Sequence, residues 1–267
     1  VPHIDANGVE IYYEEQGDGA ETILFAHGLL WSGQMFEQQI ECLKDRYRCI
    51  AFDFRGQGRT EITQDGYDMD TLTEDVHRLI ERLDCGPVHF AGLSMGGFIG
   101  MRLAIRKPEL LRSLILLETT ADPEENVEPY KKLNMIARWF GLGIVAKKVM
   151  PIMFGQKFLN DPARADERAM WKKRMTANHK IGITKAVDGV IYREGVYHQI
   201  DRIKCPTLII VGDQDVATEP EKSERMHAKI NGSKLVVIPG AGHSSTIEEP
   251  TGINEALEEF LSSLGES

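Results

Sequence analysis

Short apolar runs alternate with helical periods along most of the chain. Thr22-Ile23-Leu24-Phe25-Ala26, Cys49-Ile50-Ala51-Phe52, Val88-His89-Phe90-Ala91, Leu114 to Leu117, Leu208 to Val211 and Leu235 to Ile238 are each four or five residues long. That is too short for independent helices, and they read as strands. Between them, Gln34 to Leu43, Leu72 to Leu83, Met95 to Ile105 and Gly252 to Leu264 read as helices. In the second, Leu72, Val76, Leu79, Ile80 and Leu83 share one side. Near the start, Asn7-Gly8 separates His3-Ile4-Asp5 from the alternating Val9-Glu10-Ile11-Tyr12-Tyr13. Both residues of that dipeptide tolerate positive φ, so a tight hairpin turn is expected there. Strands alternating with helices predict an α/β protein with a mostly parallel sheet and helices on both faces.

The alternation breaks between Ala121 and Gln199, where no strand pattern is visible and Met135, Met150, Met153, Met170, Met175, Trp139 and Trp171 gather. Five of the ten methionines fall here, and the stretch reads as a helical insertion, a lid over a body made of residues 1–120 and 200–267. A chain of 267 residues accommodates one domain with such an insertion. The net charge of −10 argues against nucleic acid and against docking on anionic lipid. It divides unevenly: residues 121–199 hold 14 basic and 9 acidic side chains, a local +5, and the remainder carries −15. Attraction between the two parts is expected to help seat the lid. No apolar run approaches the roughly 18 residues of a membrane span, so no membrane insertion is expected. No charged-then-apolar leader opens the sequence. Cys42, Cys49, Cys85 and Cys205 lack metal-ligand or redox-pair spacing, so reduced thiols and a cytoplasmic location are expected. Neither a metal nor another cofactor is expected: no His/Asp/Glu cluster has ligand spacing, and Gly56-Gln57-Gly58 lacks the full phosphate-binding fingerprint.

Gly92-Leu93-Ser94-Met95-Gly96 matches G-x-S-x-G directly after a strand and before a helix. Turning between the two within one residue crowds the backbone, so small residues are needed two before and two after the serine. The turn lifts the Ser94 hydroxyl above the sheet edge, over a helix N-terminus that favours developing negative charge. A nucleophile needs a base, and the base an orienting acid. His243, in Pro239-Gly240-Ala241-Gly242-His243, follows the last strand run and so falls at the carboxyl end of the sheet, where open α/β folds bind ligands. His77, His179, His198 and His227 lie on helix-like or polar segments and read as solvated, while His3, His27 and His89 read as structural. The acid is expected at a strand end between serine and histidine. In Val211-Gly212-Asp213-Gln214-Asp215, Asp215 is preferred and Asp213 then braces the loop or caps the following helix; Glu118, after Leu114 to Leu117, is a third candidate.

An oxyanion needs two donors. The Met95 N–H comes free at the helix start. The Leu29 N–H, in Phe25-Ala26-His27-Gly28-Leu29, is expected to point inward because Gly28 permits an unusual backbone. Trp31 is expected near the pocket mouth or, as the alternative, as a plain core tryptophan, and Trp139, Phe140 and Met153, with Phe154 and Trp171, are candidates for an apolar wall suited to an acyl chain. The competing reading of these side chains is the lid's own core.

With His27-Gly28, Asp53-Phe54-Arg55-Gly56-Gln57-Gly58, Gly92 to Gly97, Gly212 to Asp215 and Gly240 to His243 in this order and spacing, the chain resembles the α/β-hydrolase superfamily over nearly its whole length. The resemblance implies an α/β-hydrolase fold with an eight-stranded, mostly parallel sheet, an acyl-enzyme mechanism and no cofactor. Within the superfamily the chain is similar to the small bacterial serine esterase, enol-lactonase and perhydrolase-like branch, including serine-dependent acyl-homoserine lactonases. Ser94 departs from haloalkane dehalogenases and epoxide hydrolases, whose nucleophile is an aspartate. The expected activity is hydrolysis of a small-molecule carboxylic ester or lactone through Ser94, His243 and Asp215. The same residues would also serve C–C bond hydrolysis, perhydrolysis, cyanohydrin cleavage or a slow-turnover ligand receptor. The sequence specifies no oligomeric state.

Overall fold

The computed structural model describes residues 2–265. Strands β1 (His3–Ala6) and β2 (Val9–Gln16) form a hairpin whose turn residues, Asn7 and Gly8, have φ of 59° and 72°. Six further strands follow: β3 (Thr22–Ala26), β4 (Arg48–Phe52), β5 (Val88–Leu93), β6 (Leu111–Leu117), β7 (Thr207–Gly212) and β8 (Lys234–Ile238). They make one eight-stranded sheet in the order β1-β2-β4-β3-β5-β6-β7-β8, with β2 antiparallel to both β1 and β4 and the other adjacent pairs parallel. The helices are α1 (Glu37–Leu43), α2 (Met69–Arg82), α3 (Met95–Arg106), α4 (Val127–Phe140), α5 (Leu142–Met153), α6 (Gln156–Asn160), α7 (Ala165–Ala177), α8 (Lys180–Ile191), α9 (Pro220–Lys229), α10 (Ser245–Glu248) and α11 (Pro250–Leu264). Helices α4 to α8 form the insertion between β6 and β7.

Strands β3, β5 and β7 are buried at every position, as a sheet covered on both faces requires. Their side chains divide by the period of two. Leu24, Ile50, Phe90, Leu114 and Ile209 pack with α2 and α3, while Ile23, Phe25, Cys49, Ile115 and Ile210 pack with α1 and α11. Helix α2 begins at Met69, before the first residue of its apolar period, because the Asp68 carboxylate accepts the N–H groups of Asp70 and Thr71. The chain goes from β3 to β4 on one side, and β5 lies on the other. The carboxyl ends of β3 and β5 therefore open a crevice at the reversal point.

The insertion shares the body's core. Met153, Phe154, Phe158, Trp171 and Met175 pack in one cluster with Trp31 and the β3 side chains. Trp31 is 2 % exposed, with its ring edge-on to Phe154 at 5.7 Å and Trp171 at 5.6 Å. Its expected place at the pocket mouth is thus corrected: it fills the seam between body and insertion. Trp139 and Phe140 are corrected too, being 72 % and 74 % exposed. Ala137 faces inward, and Trp139 lies about 200° farther round the helix. Phe140 ends α4, where the chain turns away at Gly141 (φ 89°) and leaves the ring uncovered.

Among the described residues the four cysteines are free; burial pushes the Cys49 thiol up to about 12 and those of Cys85 and Cys205 up to about 11. No described helix is long and apolar enough to cross a membrane.

Candidate active site

Ser94 is the single residue between β5 and α3, at φ 52° and ψ −110°. Such a backbone is costly outside glycine, and close packing holds it in place. A Cβ on Gly92 would meet the Gly96 carbonyl at 2.4 Å, and one on Gly96 would meet the Ala26 carbonyl oxygen at 2.1 Å. Only the absence of both side chains lets strand and helix approach this closely.

His243 lies between β8 and α10 and reaches back to the serine. Its Nδ1–H donates to Asp215 Oδ2 at 2.8 Å, which leaves Nε2 to accept from the Ser94 hydroxyl at 2.9 Å. All three are buried, Ser94 at 8 % exposed being the least so. Asp215 also accepts from the N–H groups of Ala217 (2.8 Å) and Thr218 (3.0 Å) and from the Thr218 hydroxyl (2.7 Å). Burial pushes the Asp215 carboxyl up, but His243 and the Thr218 donors outweigh it and hold the group below its ordinary value.

The other two carboxylates take different positions. Asp213 accepts the Gly240 N–H at 2.7 Å and braces the loop before His243. Glu118, at φ 44° and fully buried, accepts the Gly212 N–H at 2.9 Å. Burial, and then the charge of Asp215, raise the Glu118 carboxyl well above its ordinary value, the opposite direction from Asp215.

Leu29 and Ser94 line the same cavity. The loop that carries Leu29 closes by a Trp31 N–H bond to the Gly28 carbonyl at 3.2 Å. Its left-handed residue is Leu30 (φ 74°), which corrects the expectation that Gly28 supplies the unusual backbone. Gly28 is small for another reason: a Cβ there would lie 2.9 Å from Leu93 Cδ2 and 3.4 Å from Ser94 Cβ. Gln57 fixes the turn, accepting the Leu30 N–H at 3.0 Å while its amide reaches Met95 Sδ at 3.8 Å. His27 braces the same loop, donating from Nδ1 to the Gly28 carbonyl (2.7 Å) and accepting the Phe54 N–H at Nε2 (2.9 Å). Complete burial, opposed by nearby Asp53, keeps its imidazole below its ordinary value and neutral. Met95 is the first residue of α3, so its N–H has no acceptor within the helix.

The cavity above Ser94 has a volume of about 130 Å³. Leu29, Phe98, Ala137, Val145 and Met153 are among its mainly apolar walls, so Met153 is brought to the site while Trp31, Trp139 and Phe140 are not. Two further residues carry more than their sequence context suggests. His77, expected in solvent, is 7 % exposed and bridges Glu74 (3.2 Å) and Glu81 (3.1 Å) on its own helix, α2. Glu248, which precedes Glu249-Pro250 and resembles an ordinary acidic helix start, is 2 % exposed. Burial pushes its carboxyl up to about 7 against three backbone N–H donors, those of Gly155, Gly242 and Ser244. Among the described residues no group of three or more His, Cys, Asp or Glu is arranged to hold a metal ion.

Known proteins share this architecture. The chain is 28 % identical over 259 residues to 3-oxoadipate enol-lactonase 2 of Acinetobacter baylyi, covering 97 % of this chain and 95 % of that protein. The crystal structure of the enol-lactonase from Burkholderia xenovorans superposes with a TM-score of 0.92 at 26 % identity, over 98 % of this chain and 100 % of that one. A thermophilic esterase from Thermogutta terrifontis gives 0.91 at 27 % identity, over 99 % of each. Residues 21–250, most of the chain, match the alpha/beta hydrolase fold family, and the protein belongs to it.

Proposed function

We propose that the protein hydrolyses carboxylic esters and lactones, with Ser94 as nucleophile, His243 as general base and Asp215 as the acid that fixes the imidazole tautomer. The observation that carries this reading is the row Asp215–His243–Ser94, with contacts of 2.8 and 2.9 Å, at the floor of an apolar cavity. Ser94 Oγ bonds to the substrate carbonyl carbon as its proton passes to His243 Nε2, and the Leu29 and Met95 N–H groups hold the oxyanion. Collapse breaks the C–O bond, and the leaving alkoxide takes the proton from His243. Water, deprotonated by His243, then releases the acid and restores the Ser94 hydroxyl. In a lactone the leaving alcohol stays tethered to the acyl group, which the same steps accommodate.

Residues 121–199 act in this reading as a lid on a body made of 1–120 and 200–267, since α4, α5 and α8 supply most of the apolar wall that would enclose the acyl group. Similarity to an enol-lactonase and an esterase supports the ester and lactone classes together. The test is a kinetic panel of short p-nitrophenyl esters, γ-lactones, N-acyl homoserine lactones and an enol-lactone at one pH. At least one class is expected to turn over, and Ser94→Ala to lose on the order of 10⁴-fold or more in kcat. Wild-type turnover in Ser94→Ala overturns the assignment.

A further inference from the structure

His243 sits in a loop, outside any strand or helix that would fix its direction. The two N–H groups that flank it, those of Gly242 and Ser244, both donate to Glu248 Oε1, at 3.0 and 3.1 Å. The other oxygen of the same carboxylate, Oε2, accepts the N–H of Gly155 at 2.7 Å, and Gly155 joins α5 to α6 in the insertion. The two segments also touch backbone to backbone. A Cβ on Gly242 would lie 2.2 Å from the Gly155 nitrogen, and one on Gly155 would lie 2.9 Å from the Gly242 nitrogen. A second tie runs alongside: the Arg164 guanidinium of the insertion donates to the carbonyls of Ile247 (2.9 Å) and Glu248 (2.6 Å). The short helix that presents the carboxylate is thus held from the insertion as well.

We propose that Glu248 is a positioning residue that couples the alignment of His243 to the seating of the insertion on the body. One carboxylate accepts from both sides at once, so the base keeps its direction while the α5–α6 junction is docked. That junction follows directly on Ile152 and Met153, which line the cavity, so the acyl-side wall and the base are set by one group. The proposal rests on the reading of His243 as general base.

Glu248→Gln and Glu248→Ala separate the two ends of the clamp. Glutamine keeps one acceptor oxygen, and the paired donors of Gly242 and Ser244 hold it against the single donor of Gly155. The loop beside His243 then stays anchored and the insertion loses its partner. With p-nitrophenyl butyrate as probe, and active sites titrated by a fluorophosphonate on Ser94, Glu248→Gln is expected to raise KM about tenfold with kcat within about threefold of wild type. Glu248→Ala frees both ends and is expected to lower kcat about 100-fold as well. Wild-type kcat and KM per titrated site in both variants, with only thermal stability lowered, would overturn the proposal. Should the variants not fold, hydrogen–deuterium exchange of the wild type decides. Segments 153–157 and 240–246 are expected to slow together when Ser94 is phosphonylated, and independent responses count against coupling. Persistent hydrolysis by Ser94→Ala would instead overturn the serine-hydrolase reading, and with it the role of Glu248 beside a general base.

Discussion

Asp215 holds its negative charge in a place where burial alone would remove it, because His243 and three donors from Ala217 and Thr218 face it. Asp215→Asn keeps the shape but accepts the Nδ1–H more weakly and allows the wrong tautomer. A loss of about 10⁴-fold in kcat is expected, with steady-state kinetics as the check. Its neighbours behave with the opposite sign. Glu248 has its carboxyl raised to about 7, so the folded state binds that proton more tightly than the unfolded chain does. The contribution is fully present below the unfolded value and is lost as pH rises through about 7. The stability of wild type relative to Glu248→Gln, from urea unfolding at pH 4 and pH 8, is therefore expected to fall by about 3 kcal/mol. A difference independent of pH would show that Glu248 is not raised. At this scale Ser94 and His243 were legible, because a strand-to-helix turn with small flanking residues and a strand-end loop each leave a sequence trace. The choice among Asp215, Asp213 and Glu118 was less legible. All three leave strand ends, and only the course of each loop decides which carboxylate faces the imidazole. Glu248 was invisible for a related reason, since an acid before proline reads as a helix start wherever it points.

The strands and their helices follow the periods of the sequence closely: β3 spans Thr22 to Ala26, and α3 starts at Met95. The insertion shows where periodicity stops being informative. Its apolar residues are plentiful, but their division between cavity, seam and solvent depends on what packs against each helix. In α4, Leu133 and Ala137 line the cavity and Trp139 faces outward. The small side chain of Ala137 is what leaves space at that wall, so Ala137→Phe is expected to shorten the accepted acyl group. Turnover of p-nitrophenyl acetate should stay near wild type while KM for the decanoyl ester rises about tenfold or more. Equal effects on both esters would place the acyl group away from α4.

The whole molecule carries −10, unequally shared between insertion and remainder. Ion pairs cross between them, including Lys157 with Glu249 at 2.7 Å and Arg174 with Glu37 at 3.2 Å. Each such exposed pair contributes about 1 kcal/mol or less, so the effect expected is collective and weakened by salt. KM is expected to rise about threefold as salt goes from 20 to 500 mM, a change that shortens the screening length about fivefold. A flat KM across that range would mean that apolar packing alone seats the insertion. The seam itself carries an optical consequence. Of the three tryptophans, Trp31 and Trp171 meet edge to face where body and insertion join, and Trp139 stands in solvent. The protein's intrinsic fluorescence is therefore a built-in gauge of that junction: a Trp139→Phe chain would emit only from the buried pair, and a red shift without loss of the sheet's circular dichroism would mark the insertion lifting while the body stays folded.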